Sequence, residues 1–286
     1  MNIKITADST CDLSEQLVAQ QEIGIVPLYV VKEGKSYQDG LEIKPQDIFD
    51  YVAQGNEPCK TVAVSITDYA DYFSGLSAQY DAVIHISLSA EFSSCYQNAC
   101  LAAQQFPNVF VVDSRNLSTG SGLMVLEAAR LAKMGLAPQE IVSRLEELAG
   151  RVEASFLIDS LLYLHKGGRC SSLAALGANL LHLKPCIEVK DGKMQVGKKY
   201  RGPFEKCLLA YVKDRLDGRD DLAAGRIFVT HTRCNPRTVE LVKKTVKEYG
   251  VFQQITETEA GCTISSHCGP NTLGILFIRK QGRKEA

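Results

Sequence analysis

The stretch His85–Ala103, HISLSAEFSSCYQNACLAA, reads as the end of a buried strand, a serine-rich turn and the first turns of a helix. His85, Ser87, Ser89, Ser93, Ser94 and Tyr96 offer hydroxyl or imidazole groups there, and Glu91 is the only carboxylate among them. A helix start presents unpaired backbone N–H groups and the positive end of a dipole, so hydroxyls gathered at it suit a small anionic group. The same serines also suit plain N-capping, which alone would place one at each such position. His85, on the apolar strand, reads as a satisfied core histidine.

Working outward, the pattern of strand, polar turn and helix repeats. Asn2–Thr6 alternates apolar and polar residues and runs through Asp8-Ser9-Thr10-Cys11-Asp12 into a helix over Leu13–Gln20. Ile23–Val31 reads as a second strand, and Pro45 opens a helix over Gln46–Gln54. Thr61-Val62-Ala63-Val64-Ser65 precedes a further helix whose start matches a capping box, Ser65-x-x-Asp68, and Thr61 and Ser65 are both read as opening that helix. Ala82–Ser87 and Val109–Asp113 are strands, each followed by a helix, the second from Leu117 to Lys133. Such alternation predicts parallel pairing with helices on both faces. Hydroxyls after the strands would then gather along the carboxyl edge, where open α/β sheets bind ligands.

Past Ala137-Pro138 a helix over Gln139–Glu153 leads into a second domain. A strand at Ala154–Asp159, a short helical segment at Ser160–His165 and a helix at Leu173–Leu181 precede a hairpin, Pro185–Lys190 and Lys193–Tyr200, turned by Asp191-Gly192. Helices at Pro203–Leu216 and Pro236–Tyr249 then alternate with strands at Arg226–Thr230, Phe252–Glu257 and Gly274–Arg279, and a charged tail starts at Lys280. The expectation is a two-domain α/β protein: residues 1–153 an N-terminal, mostly parallel α/β sandwich, and residues 154–286 a C-terminal mixed-sheet α/β domain. His267 falls in Gly261–Leu273, read as a loop too rich in turn residues to be a helix face. A histidine there can hydrogen-bond an anion or shuttle protons, or else simply stands exposed. Arg169 and Arg201 each neighbour a glycine in a turn, from which an arginine can reach an anionic group.

Composition narrows the function classes. With 45% hydrophobic and 23% charged residues and a net charge of −1, the chain lacks the basic face that nucleic acid requires. No apolar run approaches the roughly 20 residues of a membrane span, and the N-terminus enters a strand without a signal-peptide pattern. The expected compartment is the cytoplasm. Ten cysteines contain no C-x-x-C pair; no metal site is expected, and the cysteines read as reduced, mostly buried thiols. A G-x-S-x-G elbow for a serine nucleophile is absent from the sequence. The glycines of Ser118-Thr119-Gly120-Ser121-Gly122 lack dinucleotide spacing and read as sites of close helix packing.

Several segments, taken together in order, resemble the DegV family of bacterial lipid-binding proteins, which includes the fatty acid-binding subunit of bacterial fatty acid kinase. They are Thr6-Ala7-Asp8-Ser9-Thr10-Cys11-Asp12-Leu13, Tyr37-x-Asp39-Gly40, Val112-Asp113-Ser114-x-x-x-Ser118-x-Gly120-x-Gly122, Leu164-x-x-Gly167-Gly168-Arg169, Lys184-Pro185, Arg201-Gly202 and His267-x-Gly269-Pro270. The resemblance implies a non-catalytic protein without a cofactor that encloses one long-chain fatty acid between its two domains. The catalytic subunit of a fatty acid kinase would be its partner, and transient contact with a membrane is compatible with such a ligand. By the same resemblance Thr61 and Ser93 hold the carboxyl group, Arg201 and His267 serve at the head-group end, and Arg169 lies near the partner-facing surface. Two segments depart from the family pattern. T-S-Q-P-S reads Thr61-Val62-Ala63-Val64-Ser65, and the usual Gly-Leu-Ser-Gly-Thr-Tyr reads Glu91-Phe92-Ser93-Ser94-Cys95-Tyr96. Glu91 would repel a bound carboxylate unless it points to solvent. Burying acyl methylenes gains about 0.8 kcal/mol each, on the order of 10 kcal/mol for a long chain, so a pocket lined by ordinary apolar residues would carry no motif. The alternatives are a small-molecule phosphotransferase or hydrolase using Ser93 or His267 directly, and a lipid sensor with no kinase partner.

Overall fold

A computed structural model of the chain describes residues 1–170 and 183–281. The helix expected over Leu173–Leu181 and most of the charged tail lie outside the described residues. The chain divides into two compact units: Met1–Gly150 with Asp191–Lys193 and Ala260–Ser266, and the remaining described residues. A single boundary at 153/154 does not express this division. The Asp191–Lys193 turn belongs with the first unit because Ser89 Oγ donates to Gly192 O at 2.9 Å. The 260–266 stretch belongs there through hydrogen bonds to Asp12 and Asp39.

The first unit contains β1 (Ile3–Asp8), α1 (Glu15–Gln20), β2 (Gly24–Val26), β3 (Tyr29–Lys32), β4 (Lys35–Gln38), α2 (Pro45–Ala53), β5 (Lys60–Val62), α3 (Ile66–Ser77), β6 (Ala82–Ser87), α4 (Cys95–Ala103), β7 (Val109–Asp113), α5 (Ser118–Lys133) and α6 (Pro138–Ala149). Its main sheet has the order β2-β1-β6-β7 and is parallel throughout, as the alternation predicts. Every residue of β6 is buried, which explains why this strand reads as a continuous run rather than an alternation. Gly122 lets α5 approach the turn after β1: a Cβ there would lie 2.7 Å from Cys11 O.

A second, antiparallel sheet of order β4-β3-β5 was not visible in the sequence pattern. The segment Ile23–Val31, expected as one strand, is split between the two sheets. Pro27 has no N–H to give a ladder, and Leu28 N donates to Ser9 Oγ at 3.1 Å instead, so the chain leaves the parallel sheet there. Thr61 accordingly lies on β5 opposite Val30, not at a helix start. Ser65 does cap α3, accepting from Asp68 N at 3.0 Å.

The second unit is built on β8 (Val152–Ile158), α7 (Leu162–Gly167), β9 (Leu183–Lys190), β10 (Lys193–Arg201), α8 (Phe204–Leu216), β11 (Leu222–Thr232), α9 (Pro236–Glu248), β12 (Gln254–Glu259), α10 (Cys262–Cys268) and β13 (Thr272–Arg279), with the first residues of β10 and α10 grouped in the other unit. Its sheet runs β10-β9-β8-β13-β11-β12. It is mixed, β11 pairing with β12 in parallel and with β13 antiparallel. Leu208, Tyr211 and Val212 of α8 and Val242 of α9 close a core over Val229 and Phe277. The helix expected to reach Glu153 stops at Ala149, because Val152 and Glu153 already pair with Ile278 and Phe277 as strand.

The stretch read as a loop around His267 contains α10. Asp12 Oδ1 accepts from Gly261 N at 2.8 Å, and the two oxygens of Asp39 accept from Cys262 N at 2.8 Å and Thr263 N at 3.0 Å. Acidic side chains distant in sequence thus satisfy the N–H groups that a short helix leaves open, a contribution that local composition cannot reveal. All ten cysteines are free thiols, and all but Cys100 are buried. Among the described residues no helix is long and apolar enough to cross a membrane.

Candidate functional site

The turn after β6 leaves the carboxyl edge of the parallel sheet and enters α4, and its hydroxyls have separate tasks. Ser89 holds the Gly192 carbonyl. Ser87 Oγ donates inward to Asp8 Oδ2 at 2.8 Å. Half-buried Ser93 accepts from Cys95 N at 3.2 Å and donates to Cys95 Sγ, also at 3.2 Å. From the position before the N-cap Ser94 it therefore satisfies the first N–H of α4, while its proton rests on a soft acceptor.

Ser93 and the Thr61–Ser65 segment are brought to the same helix. Asn98 of α4 donates to Val64 O at 2.8 Å, and the Val64 backbone is also a hydrogen-bond partner of the Cys95 thiol. Thr61 is three residues before Val64, half-buried on β5. Glu91, the residue expected to disturb an anion here, is exposed and turned toward Lys193, its carboxylate 3.4 Å from Nζ.

Beneath this edge lies a polar cluster that sequence reasoning did not assemble. Asp8, at the end of β1, is 1% exposed. It accepts from Tyr69 OH at 2.5 Å, His85 Nε2 at 3.2 Å, Ser87 Oγ at 2.8 Å and Leu88 N at 2.8 Å. A carboxylate has no proton to give, so His85 carries its hydrogen on Nε2, and Nδ1 faces Thr6 Oγ1 at 3.0 Å. Burial works against the Asp8 charge, but the His85 ring beside it and the hydrogen bonds of His85, Tyr69 and Leu88 outweigh that and hold the carboxyl below its ordinary range. Thr6 and Asp8 both stand in the first of the quoted segments, where alternation shows a strand but not which distant side chains will meet its end.

In the second unit, Arg169 and His267 are brought together around Gly167. Arg169 Nη1 donates to Gly167 O at 2.7 Å. The His267 ring packs so closely on Gly167 that a Cβ there would overlap Nδ1. Burial, with the Arg169 charge added, pushes the His267 imidazole down to about 4, so it is neutral at physiological pH. Such a ring can donate one hydrogen bond and accept another. Arg201 is exposed at the end of β10, before Gly202, whose φ of +125° only glycine adopts freely. Among the described residues no group of three or more His, Cys, Asp or Glu side chains is placed to hold a metal ion. A cleft of about 460 Å³ beside Lys4, Tyr80 and Lys133 opens at the opposite, amino edge of the parallel sheet and contains none of these residues.

A family model described as an uncharacterised protein of the DegV family matches residues 2–280. A DegV domain-containing protein of Caldanaerobacter subterraneus is 33% identical over 281 residues, covering 97% of this chain and 99% of the relative. Among solved structures, a DegV family protein from Thermus thermophilus, described by its fatty acid binding, is 31% identical with a TM-score of 0.89, covering 98% of this chain and all of that one. A stearic acid-binding protein from Eubacterium ventriosum is 27% identical with a TM-score of 0.85, over 97% of this chain and 98% of its own. The agreement spans both units, and the chain belongs to the DegV family.

Proposed function

We propose that this protein binds a long-chain fatty acid in the cytoplasm and presents its carboxyl group to a separate kinase for acyl-phosphate formation. The observation that carries the reading is the near full-length likeness to proteins described as binding fatty acids. The local chemistry supports it. Ser93 and the Thr61 segment meet at one helix start, Glu91 faces Lys193, and His267 and Arg169 form a neutral–cationic pair suited to a head group. Among the described residues the hydrogen bonds of Ser93 go to a thiol and a backbone amide, neither of them a base, so the geometry does not favour Ser93 as a nucleophile.

Mass spectrometry of the denatured protein, purified from bacterial cells, should release a long-chain acid at near one per chain. Repeated absence of any such acid overturns the proposal. With a kinase subunit captured from a native host, His267→Ala should lower phosphotransfer more than it lowers acid binding. Equal loss of both would remove His267 from its assigned role at the reacting end, with Arg169 and Arg201 then the remaining candidates there.

A further inference from the structure

Ser93 is joined to the interior by a run of side chains that capping does not require. Its hydroxyl donates to Cys95 Sγ at 3.2 Å, and the Cys95 thiol is itself a hydrogen-bond partner of the Tyr69 hydroxyl. Tyr69 gives its one proton to Asp8 Oδ1 at 2.5 Å. Toward Cys95 it can therefore only accept, and the thiol is the donor. Burial lifts the Cys95 thiol to about 11, so the proton needed for that bond is present at neutral pH. Asp8 ends the run as a pure acceptor. Ser93, Cys95 and Tyr69 all direct their protons toward one buried carboxylate, and groups ordered this way polarise one another. What Ser93 turns outward is then an oxygen lone pair, and a carboxylate, having no proton to offer, cannot bond to it.

We infer that Cys95 sets the affinity of the head-group seat: the ligand carboxylate and the Cys95 sulfur compete for the single proton of Ser93. The inference rests on the fatty-acid reading of Ser93 and assigns Cys95 a positioning role within it. Sulfur is a weak acceptor, so a carboxylate can take the proton. The thiol keeps its bond to Tyr69 when it does, which leaves the buried run ordered.

The test is equilibrium binding of radiolabelled oleate to delipidated full-length protein, comparing the unaltered chain, Ser93→Ala, Cys95→Ala and Cys95→Ser. Removing the competitor in Cys95→Ala should tighten binding about two- to fivefold. Cys95→Ser puts a stronger oxygen acceptor in a side chain of nearly equal size and should weaken binding by a similar factor. Both effects should vanish in the Ser93→Ala background. A packing role alone would weaken both variants or leave both unchanged, and either result overturns the inference. If Cys95→Ala does not fold, the weakening by Cys95→Ser and its loss in the Ser93→Ala background decide the matter alone. If Ser93→Ala binds oleate as tightly as the unaltered chain, the assignment of Ser93 fails and this inference with it. A loss in Ser93→Ala with Cys95 variants that do not move binding overturns this inference only.

Discussion

At the scale of single residues, Asp8 does more for the fold than any hydroxyl above it. Four donors converge on its carboxylate, from Tyr69, His85, Ser87 and Leu88, inside a site that water does not reach. Replacing one acceptor oxygen by an amide turns a satisfied pair of donors, Tyr69 with His85 or Ser87 with Leu88, into an opposed one. Asp8→Asn should cost about 3 kcal/mol, the scale for leaving buried donors without their acceptor, read as a lower urea midpoint at unchanged slope. A loss under 1 kcal/mol would show that the network is slack. His85 was recognisable as a core histidine because it stands in an unbroken apolar strand. Asp8 was not recognisable as its partner, since strand alternation does not show which distant side chains meet its end. Glu91 could not be judged from sequence either, because Lys193 lies a hundred residues away.

At the scale of elements, the Thr61–Ser65 segment holds two hydroxyls that sequence treats alike and the fold separates. Ser65 caps α3 at its exposed start, and Thr61 sits on β5. Ser65→Ala should lower stability by about 1 kcal/mol, the usual value of an N-cap, and leave oleate affinity unchanged. Thr61→Ala should weaken oleate binding. Thermal unfolding and equilibrium binding on the two variants separate these roles, and an affinity loss in Ser65→Ala equal to that in Thr61→Ala would sink the distinction. The parallel strands, the capping box and the Asp191-Gly192 hairpin were legible because each signal is local: alternation, a four-residue cap, a two-residue turn. The β4-β3-β5 sheet and α10 were not. The first depends on where Pro27 ends one ladder, and the second on Asp12 and Asp39, more than 200 residues upstream.

At the scale of the whole molecule, two buried groups give stability opposite dependences on pH. Burial, with the Arg169 charge added, lowers His267 from 6.5 to about 4. Between those values the unfolded chain binds a proton there that the native chain does not, so this group makes stability rise with pH. Burial raises Asp12 from 3.8 to about 8 against the hydrogen bonds of Ser118 and Gly261, and the Asp39 charge adds to the rise. From pH 4 to 8 the native chain therefore holds a proton on Asp12 that the unfolded chain has lost, and stability falls with pH. Each slope is about 1.4 kcal/mol per pH unit. They cancel between about pH 4 and 6.5, and above 6.5 the Asp12 slope stands alone, removing about 2 kcal/mol by pH 8. Urea unfolding of the intact protein across this range should show a plateau and then a decline. In Asp12→Asn the decline should disappear and the plateau become a rise; in His267→Gln the fall should extend over the whole range. Below pH 4, Asp8, Asp214, Asp221 and Glu257, all held below their ordinary values, lose their contributions together as they protonate. An unaltered protein that grows more stable from pH 6.5 to 8 would show that Asp12 is ionised in the native state, and that its grip on Gly261 and Ser118 is that of a carboxylate rather than an acid.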